Sequence, residues 1–223
     1  MKTKTEKVIG IPGYNNPDGS SFGAGLNHLE FIRTFGNARI IMPWEEKVEV
    51  DLLYLPGGLD VSPSSYGAVP GFKTSNQDVM KEFFFNERLK NYVGNTSIFG
   101  VCLGMQMLGV YFGSKLTQNL VFHEQSDSRW TTAHSVTVRN PNVDEDDKFD
   151  VNSHHHQCIL ESEISDALEV SATAECYEPY REHELIVEAF RHKELPIVGV
   201  QFHPEELYDY FSMDLITKLL YDN

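Results

Sequence analysis

Five short apolar runs set the fold this chain can take: Val8-Ile9-Gly10-Ile11, Ile40-Ile41-Met42-Pro43, Asp51-Leu52-Leu53-Tyr54-Leu55, Ser97 to Val101, and Ile197-Val198-Gly199-Val200-Gln201. Such runs are too short for helices, and punctuation such as Pro12-Gly13 and Pro56-Gly57-Gly58 stops them as it stops buried parallel strands. Large side chains between them follow helical spacing: Leu29, Ile32, Arg33 and Phe35; then, from Asn76, Val79, Met80, Phe83, Phe84 and Leu89; then the stretch MQMLGVYFG. Strands alternating with helices predict an α/β fold, a doubly wound, mostly parallel sheet with flanking helices. After about residue 113 the texture changes. His134 to Val138, Leu168 to Ala172 and Leu185 to Ala189 alternate polar and apolar side chains, which predicts a smaller antiparallel sheet. Leu207, Phe211, Leu215 and Leu219 recur every four residues and predict a closing helix with one apolar face. The charge run NPNVDEDDKFD, residues 140 to 150, reads as a solvated loop, because it lacks the glycine and distal glutamate of an EF-hand calcium loop.

A length of 223 residues suits a single domain spanning 1–223. The net charge of −15 repels phosphate backbones and anionic lipid surfaces, which argues against nucleic-acid and membrane partners. No run approaches a membrane span, and MKTKTEKVIGIPG lacks the apolar core of a secretion signal, so a soluble cytoplasmic protein is expected. Cys102, Cys158 and Cys176 are odd in number and irregularly spaced, which suits neither a disulfide framework nor a paired zinc site. A reducing compartment follows.

The chemistry centres on GVCLGMQ, residues 100 to 106. Cys102 stands between Gly100 and Gly104 where a strand turns into a helix, a design that presents a side chain above the sheet while glycines leave room for a tight backbone and a substrate. The helix N-terminus favours thiolate over thiol. Thiolate attack on an amide needs a base and a group to orient it. VGVQFHPEE supplies His203 at the end of the last predicted strand and Glu205 two residues on. A parallel sheet can bring that strand end beside Cys102. Acyl transfer also needs N–H donors for the developing oxyanion, and Gly57-Gly58 at another strand end can pair the Gly58 N–H with that of Leu103. His154, His155 and His156 are adjacent, so their side chains diverge and no metal site is expected from them. Cys158 and Cys176 read as core residues.

GVCLGMQ, LYLPGGLDVSPSSYG, VNSHHHQ and VGVQFHPEE, in this order and spacing, resemble the class I glutamine amidotransferase superfamily over nearly the whole chain. Asp60-Val61, Pro63, Tyr66-Gly67, GSKLTQNL, His134 and IVEAF are most similar to its γ-glutamyl-γ-aminobutyrate hydrolase-like, peptidase C26 branch. The resemblance implies a flavodoxin-like fold, Cys102 as the nucleophile forming a γ-glutamyl thioester, His203 as base and then acid, and Glu205 as its orienting partner. It implies an oxyanion hole at Gly58 and Leu103, a glutamyl pocket involving Gly57, Gln106, Ser153 and His154, and no cofactor. Leu103 stands where γ-glutamyl-amine hydrolases of the branch often carry arginine. The segment GYNNPDGSSFGAGLNHLEFIRTFG does not specify a leaving amine. Three readings stay open: a hydrolase of glutamine or a γ-glutamyl amine, a glutaminase subunit passing ammonia to a separate synthetase, and a non-catalytic binding protein on the same fold. A homodimer is compatible with each.

Overall fold

The computed structural model describes residues 6–15, 22–74, 77–120, 123, 125–139, 147–177 and 183–222. Its strands, in chain order, are β1 (Val8–Pro12), β2 (Tyr14–Asn15), β3 (Phe22–Gly23), β4 (Asn37–Ile41), β5 (Leu52–Leu55), β6 (Ser97–Val101), β7 (His134–Val138), β8 (Asp147–Val151), β9 (Leu168–Glu175), β10 (Leu185–His192) and β11 (Ile197–Val200). The helices are α1 (Leu26–Arg33), α2 (Val79–Phe83), α3 (Leu103–Tyr111), α4 (Pro204–Leu207) and α5 (Tyr210–Tyr221). Nine strands form one sheet in the order β4-β1-β5-β6-β11-β10-β9-β7-β8. From β4 to β11 neighbours run parallel, and from β11 to β8 they run antiparallel. The antiparallel strands expected in the second half therefore extend the edge of the parallel sheet. A separate hairpin, β2 with β3, forms in a segment whose residues show no strand pattern.

Alternation along the central strands divides the core between two faces. Ile9, Ile11, Tyr54, Phe99, Val101 and Val200 pack with Phe31 and Ile32 of α1 and Ile216 and Leu219 of α5. Leu53, Leu55, Ile98 and Ile197 face Leu103, Met105 and Leu108 of α3. Helices on both faces make the sheet doubly wound, as expected.

Three local expectations change. Asp147 to Asp150 belong to β8, not to a solvated loop; residues 140–146 lie outside the described residues. Phe149 packs on Phe202 and Phe211 and Val151 is buried, while Lys148 and Asp150 are exposed, so the alternation is that of an edge strand. The closing helix is broken: Tyr208 adopts φ 55°, and the Asp209 carboxylate accepts from the Ser212 N–H to start α5 afresh. Its buried side is Ser212, Ile216, Leu219 and Leu220, rotated from the predicted stripe. The helix expected from Asn76, itself outside the described residues, runs as α2, then a π-turn over Phe84–Arg88 and a 3-10 turn over Leu89–Asn91. Phe84, Phe85 and Leu89 are buried, but Val79 is 75% exposed and Lys81 only 7%. Cys158 and Cys176 are buried with Leu120, Leu160 and Ile186.

Candidate active site

The parallel half of the sheet ends three strands at one edge: β5 runs into Pro56-Gly57-Gly58, β6 into Cys102, and β11 into Gln201-Phe202-His203. Cys102 sits between β6 and α3 with φ 49° and ψ −107°, a conformation costly for any side chain and held here by neighbours on both sides. Its N–H donates to the Val200 carbonyl of β11 at 2.8 Å, and its carbonyl accepts from the Gln106 N–H in α3 at 2.9 Å. The flanking glycines serve backbone proximity more than substrate room: a Cβ on Gly104 would overlap the Leu55 carbonyl, and one on Gly100 would stand 2.7 Å from the Gly104 carbonyl carbon. Cys102 is 4% exposed, more sheltered than the sequence suggested.

His203 meets Cys102 on one side and Glu205 on the other. The His203 Nδ1 lies 2.8 Å from the Glu205 Oε1. Burial pulls the imidazolium down, but the charges and hydrogen bonds of Cys102 and Glu205 outweigh it and hold the His203 pKa well above its ordinary value. Glu205 is 2% exposed; burial raises its pKa, and the attraction of His203 more than reverses this, so it stays a carboxylate. Gly57 closes the group, since a Cβ there would lie 2.8 Å from His203 Cε1 and 3.5 Å from Cys102 Cβ. Gly58 abuts Leu103, whose Cδ2 would lie 2.7 Å from an added Cβ. Leu103 opens α3, so its N–H is among the first-turn donors that no intrahelical carbonyl takes.

The other expected pocket residues divide. His154 sets its ring edge-on to that of His203, centroids 5.6 Å apart, and remains partly exposed. Gln106 is 3% exposed and donates through Nε2 to the Gln157 carbonyl at 3.0 Å and to the Gln201 Oε1 at 3.1 Å. Ser153 is fully buried: its N–H donates to Ser126 Oγ at 2.9 Å, and its Oγ accepts from Gln125 Nε2 at 3.4 Å. Gly57 and His154 thus border the imidazole, whereas Gln106 and Ser153 tie the surrounding wall together.

In chemical terms a thiol, an imidazole and a buried carboxylate stand in sequence, with helix-end donors beside the sulfur. Such a row can move a proton from sulfur to nitrogen and stabilise charge on an attacked carbonyl.

The peptidase C26 family profile matches residues 27–205. The chain belongs to the peptidase C26 family. It is 31% identical over 227 residues to the glutamine amidotransferase-like protein YvdE of Lactococcus lactis, covering 89% of this chain and 90% of that one. It is 29% identical to the carbamoyl phosphate synthase small chain of Methanocaldococcus jannaschii over 82% of this chain and 44% of that one. A crystal structure from Thermoplasma acidophilum, described as that of a GMP synthase subunit, shares the fold with a TM-score of 0.65 at 17% identity, covering 98% of this chain and 94% of that one.

Four residues of this peptidase C26 chain join the site without having been singled out from the sequence. Lys81 donates from Nζ to the Gly57 carbonyl and stands 4.0 Å from the Tyr14 ring centroid. Burial lowers its pKa to about 8, against the opposing pull of Asp78, Cys102 and Glu205. His28 places Nδ1 2.9 Å from the Tyr54 hydroxyl and 3.4 Å from the Glu205 Oε1, and burial lowers its pKa to about 4, so it is neutral. Asn152 clamps the backbone of His203: its Oδ1 accepts from the His203 N–H at 2.8 Å and its Nδ2 donates to the His203 carbonyl at 3.1 Å. Asn152 lies within the quoted VNSHHHQ, whereas Lys81, His28 and Tyr54 carried no signal beyond helix and strand periodicity. Among the described residues no helix is long and apolar enough to cross a membrane.

Proposed function

We propose that this glutamine amidotransferase-like chain hydrolyses the γ-amide of glutamine or of a γ-glutamyl amine through a thioester on Cys102. The observation that carries the reading is the strained Cys102 elbow, whose side chain acts directly on a His203 imidazole held 2.8 Å from a buried Glu205 carboxylate. The sulfur attacks the amide carbonyl carbon, and the Gly58 and Leu103 N–H groups take the oxyanion. His203 protonates the departing nitrogen as the C–N bond breaks. It then takes a proton from the water that cleaves the thioester, giving glutamate and the free thiol. Glu205 keeps the ring in the tautomer with its proton on Nδ1. Gly57 and His154 border the bound substrate, and Gln106 and Ser153 hold the wall behind it. The Lys81 ammonium at the Gly57 carbonyl fixes the donor loop and adds positive charge near the sulfur. A single domain in a reducing, cytoplasmic setting, where Cys102 stays a thiol and no cofactor is needed, belongs to the same proposal.

The second reading, a glutaminase subunit feeding ammonia to a separate synthetase, is favoured by the relative described as a small chain of carbamoyl phosphate synthase. Incubation of the purified chain and of Cys102→Ala with glutamine and with γ-glutamyl amines separates the cases. Amine release from the larger substrates supports a stand-alone hydrolase. Ammonia from glutamine alone supports the subunit. Turnover of neither, or equal turnover by Cys102→Ala, defeats both and leaves a binding protein on an enzyme's fold.

A further inference from the structure

Of the three adjacent histidines, His154 faces His203 and His156 puts Nε2 2.9 Å from the Asp60 Oδ1. His155 turns the other way, into the interior, where it is 4% exposed. Its Nε2 lies 3.1 Å from the His123 Nε2 and 3.9 Å from the Glu188 Oε1. One ligand atom from each of His123, His155 and Glu188 falls within 4.8 Å of the others. These residues come from three segments: the chain before β7, the stretch after β8, and β10. His134, at the start of β7, brings its Nε2 3.3 Å from the same Glu188 oxygen and its ring centroid 4.7 Å from that of His123.

Two further observations point to a cation ligand set. Glu188 is fully buried, and among the described residues neither of its carboxylate oxygens has a hydrogen-bond partner; both ring nitrogens of His134 share that condition. A buried carboxylate without donors is strongly disfavoured unless something positive meets it. The His155 Nδ1 lies 3.0 Å from the Gln157 carbonyl, which can only accept. The ring proton therefore sits on Nδ1, and the Nε2 lone pair faces His123 and Glu188. An imidazole oriented through Nδ1, with Nε2 turned toward a buried carboxylate that accepts no hydrogen bond among the described residues, is a ready ligand set. Zinc–ligand bonds of about 2.0–2.1 Å in tetrahedral geometry put ligand atoms about 3.3 Å apart. The separations of 3.1 and 3.9 Å straddle that spacing.

We propose that His123, His155 and Glu188 bind one divalent first-row transition ion of the Zn2+ type, with His134 bracing the Glu188 carboxylate. Two imidazoles and one carboxylate suit such an ion and not Mg2+ or Ca2+, which take oxygen ligands. The ion is a structural tie. It joins three segments of the chain, and it stiffens the wall behind the candidate active site: His155 follows Ser153-His154, and the Glu188 carbonyl accepts from the Gln201 N–H at 2.8 Å, two residues before His203.

The test uses the full chain carrying Cys102→Ala, which removes the competing thiol, stripped with a chelator and titrated calorimetrically with ZnCl2, CoCl2 and MgCl2. The expected result is one Zn2+ or Co2+ per chain at micromolar or lower Kd, visible d–d absorption of low-symmetry Co2+, a raised Tm with Zn2+, and no Mg2+ binding. Glu188→Gln, nearly isosteric, and His123→Ala, on a half-buried side chain, should each weaken Zn2+ by more than about 100-fold. His134→Ala, which leaves the three ligands in place, should weaken it about 10-fold to 100-fold. Circular dichroism of each variant confirms that it is folded. The proposal is overturned if the folded parent binds neither Zn2+ nor Co2+, if Mg2+ binds equally well, or if Zn2+ affinity survives both Glu188→Gln and His123→Ala. That last outcome would move the ion elsewhere, for instance to the neighbouring His203, Glu205 and Glu206 group.

Discussion

Two histidine–carboxylate clusters lie on either side of the stretch 152–157, and they are built on opposite principles. In the first, Glu205 is buried but engaged: its Oε1 faces both His203 and His28, and the His203 backbone is clamped by Asn152. Only its Oε2 lacks a partner among the described residues. In the second, Glu188 is equally buried and neither oxygen accepts a hydrogen bond among the described residues, though three imidazoles crowd round it. Burial makes a lone charge expensive in both places, so the difference lies in what compensates it. The first cluster carries its own counter-charge, the imidazolium stabilised by Cys102 and Glu205, and so is complete in the bare chain. The second gathers three imidazoles round one carboxylate, which is how a cluster completed from outside would be arranged.

The largest effect should come from removing the sulfur. Cys102→Ala is expected to abolish the proposed γ-glutamyl hydrolysis, a fall on the order of 10^6-fold in kcat if the triad acts as one unit. Metal titration and folded secondary structure should be unaffected. A glutamine-like chloroketone should correspondingly add one adduct at Cys102, read by mass spectrometry. Labelling of Cys158 or Cys176 with loss of activity would remove the first cluster from the chemistry.

The paired carboxylates give the next contrast. Glu205→Gln keeps the shape but loses the charge that orients His203, and kcat should drop on the order of 10^4-fold. Glu188→Gln, assayed without metal, should leave kcat within a few-fold and hold or raise Tm, because it deletes a buried charge whose oxygens accept no hydrogen bond among the described residues. A lower Tm for metal-free Glu188→Gln would mean that the carboxylate is compensated within the protein, and the contrast between the clusters would fail.

Acid separates the two histidines that share Glu205. His28 has its pKa lowered by burial from 6.5 to about 4. Between those values the unfolded chain binds a proton that the native chain refuses, so stability falls as pH drops from about 6.5 to about 4, by about 3 kcal/mol in all. His203 has the opposite sign: its raised pKa contributes stability that is complete below pH 6.5 and lost as pH rises through the folded value. Urea unfolding across this range should show the acid loss in the native sequence and a flattened curve in His28→Asn. An unchanged curve in that variant would place the acid sensitivity elsewhere.

The first cluster was largely legible in the sequence and the second was not, for a physical reason. Cys102, His203 and the Gly57-Gly58 loop sit at ends of short apolar strands, and a parallel sheet delivers strand ends to one edge, so local pattern implied proximity. Glu188 and His134 lie within antiparallel strands whose partners depend on register, and His123 precedes β7 with no periodic pattern around it. Adjacency of residues 154–156 argued correctly that these three do not converge on one point, but it carried no information on what each meets across the sheet. Lys81 escaped for a related reason. Helical spacing marked Val79 for burial, whereas the turn leading into the π-helical segment exposes Val79 and buries the lysine against the Gly57 carbonyl. In β8 a dense charge run hid the alternation of Phe149 and Val151 that makes it a strand.

The smallest expected effect distinguishes how each cluster is held in place. Gly57 is the glycine that touches the first cluster, and an added methyl would stand 2.8 Å from His203 Cε1. A side-chain ring yields more readily than backbone, so Gly57→Ala should cost little stability while displacing the ring from the sulfur, lowering kcat by about 100-fold. Gly104 is the control, because its added methyl would meet the Leu55 backbone carbonyl, which does not yield. Gly104→Ala should therefore act on folding, lowering stability by about 1–3 kcal/mol through overpacking of α3 on β5. Neither change touches His123, His155 or Glu188, so the Co2+ spectrum should survive Gly57→Ala unaltered. If that spectrum shifts along with kcat, the two clusters are mechanically one unit joined through Gln201 and the 152–157 stretch, and an ion at one would then set the geometry of the other.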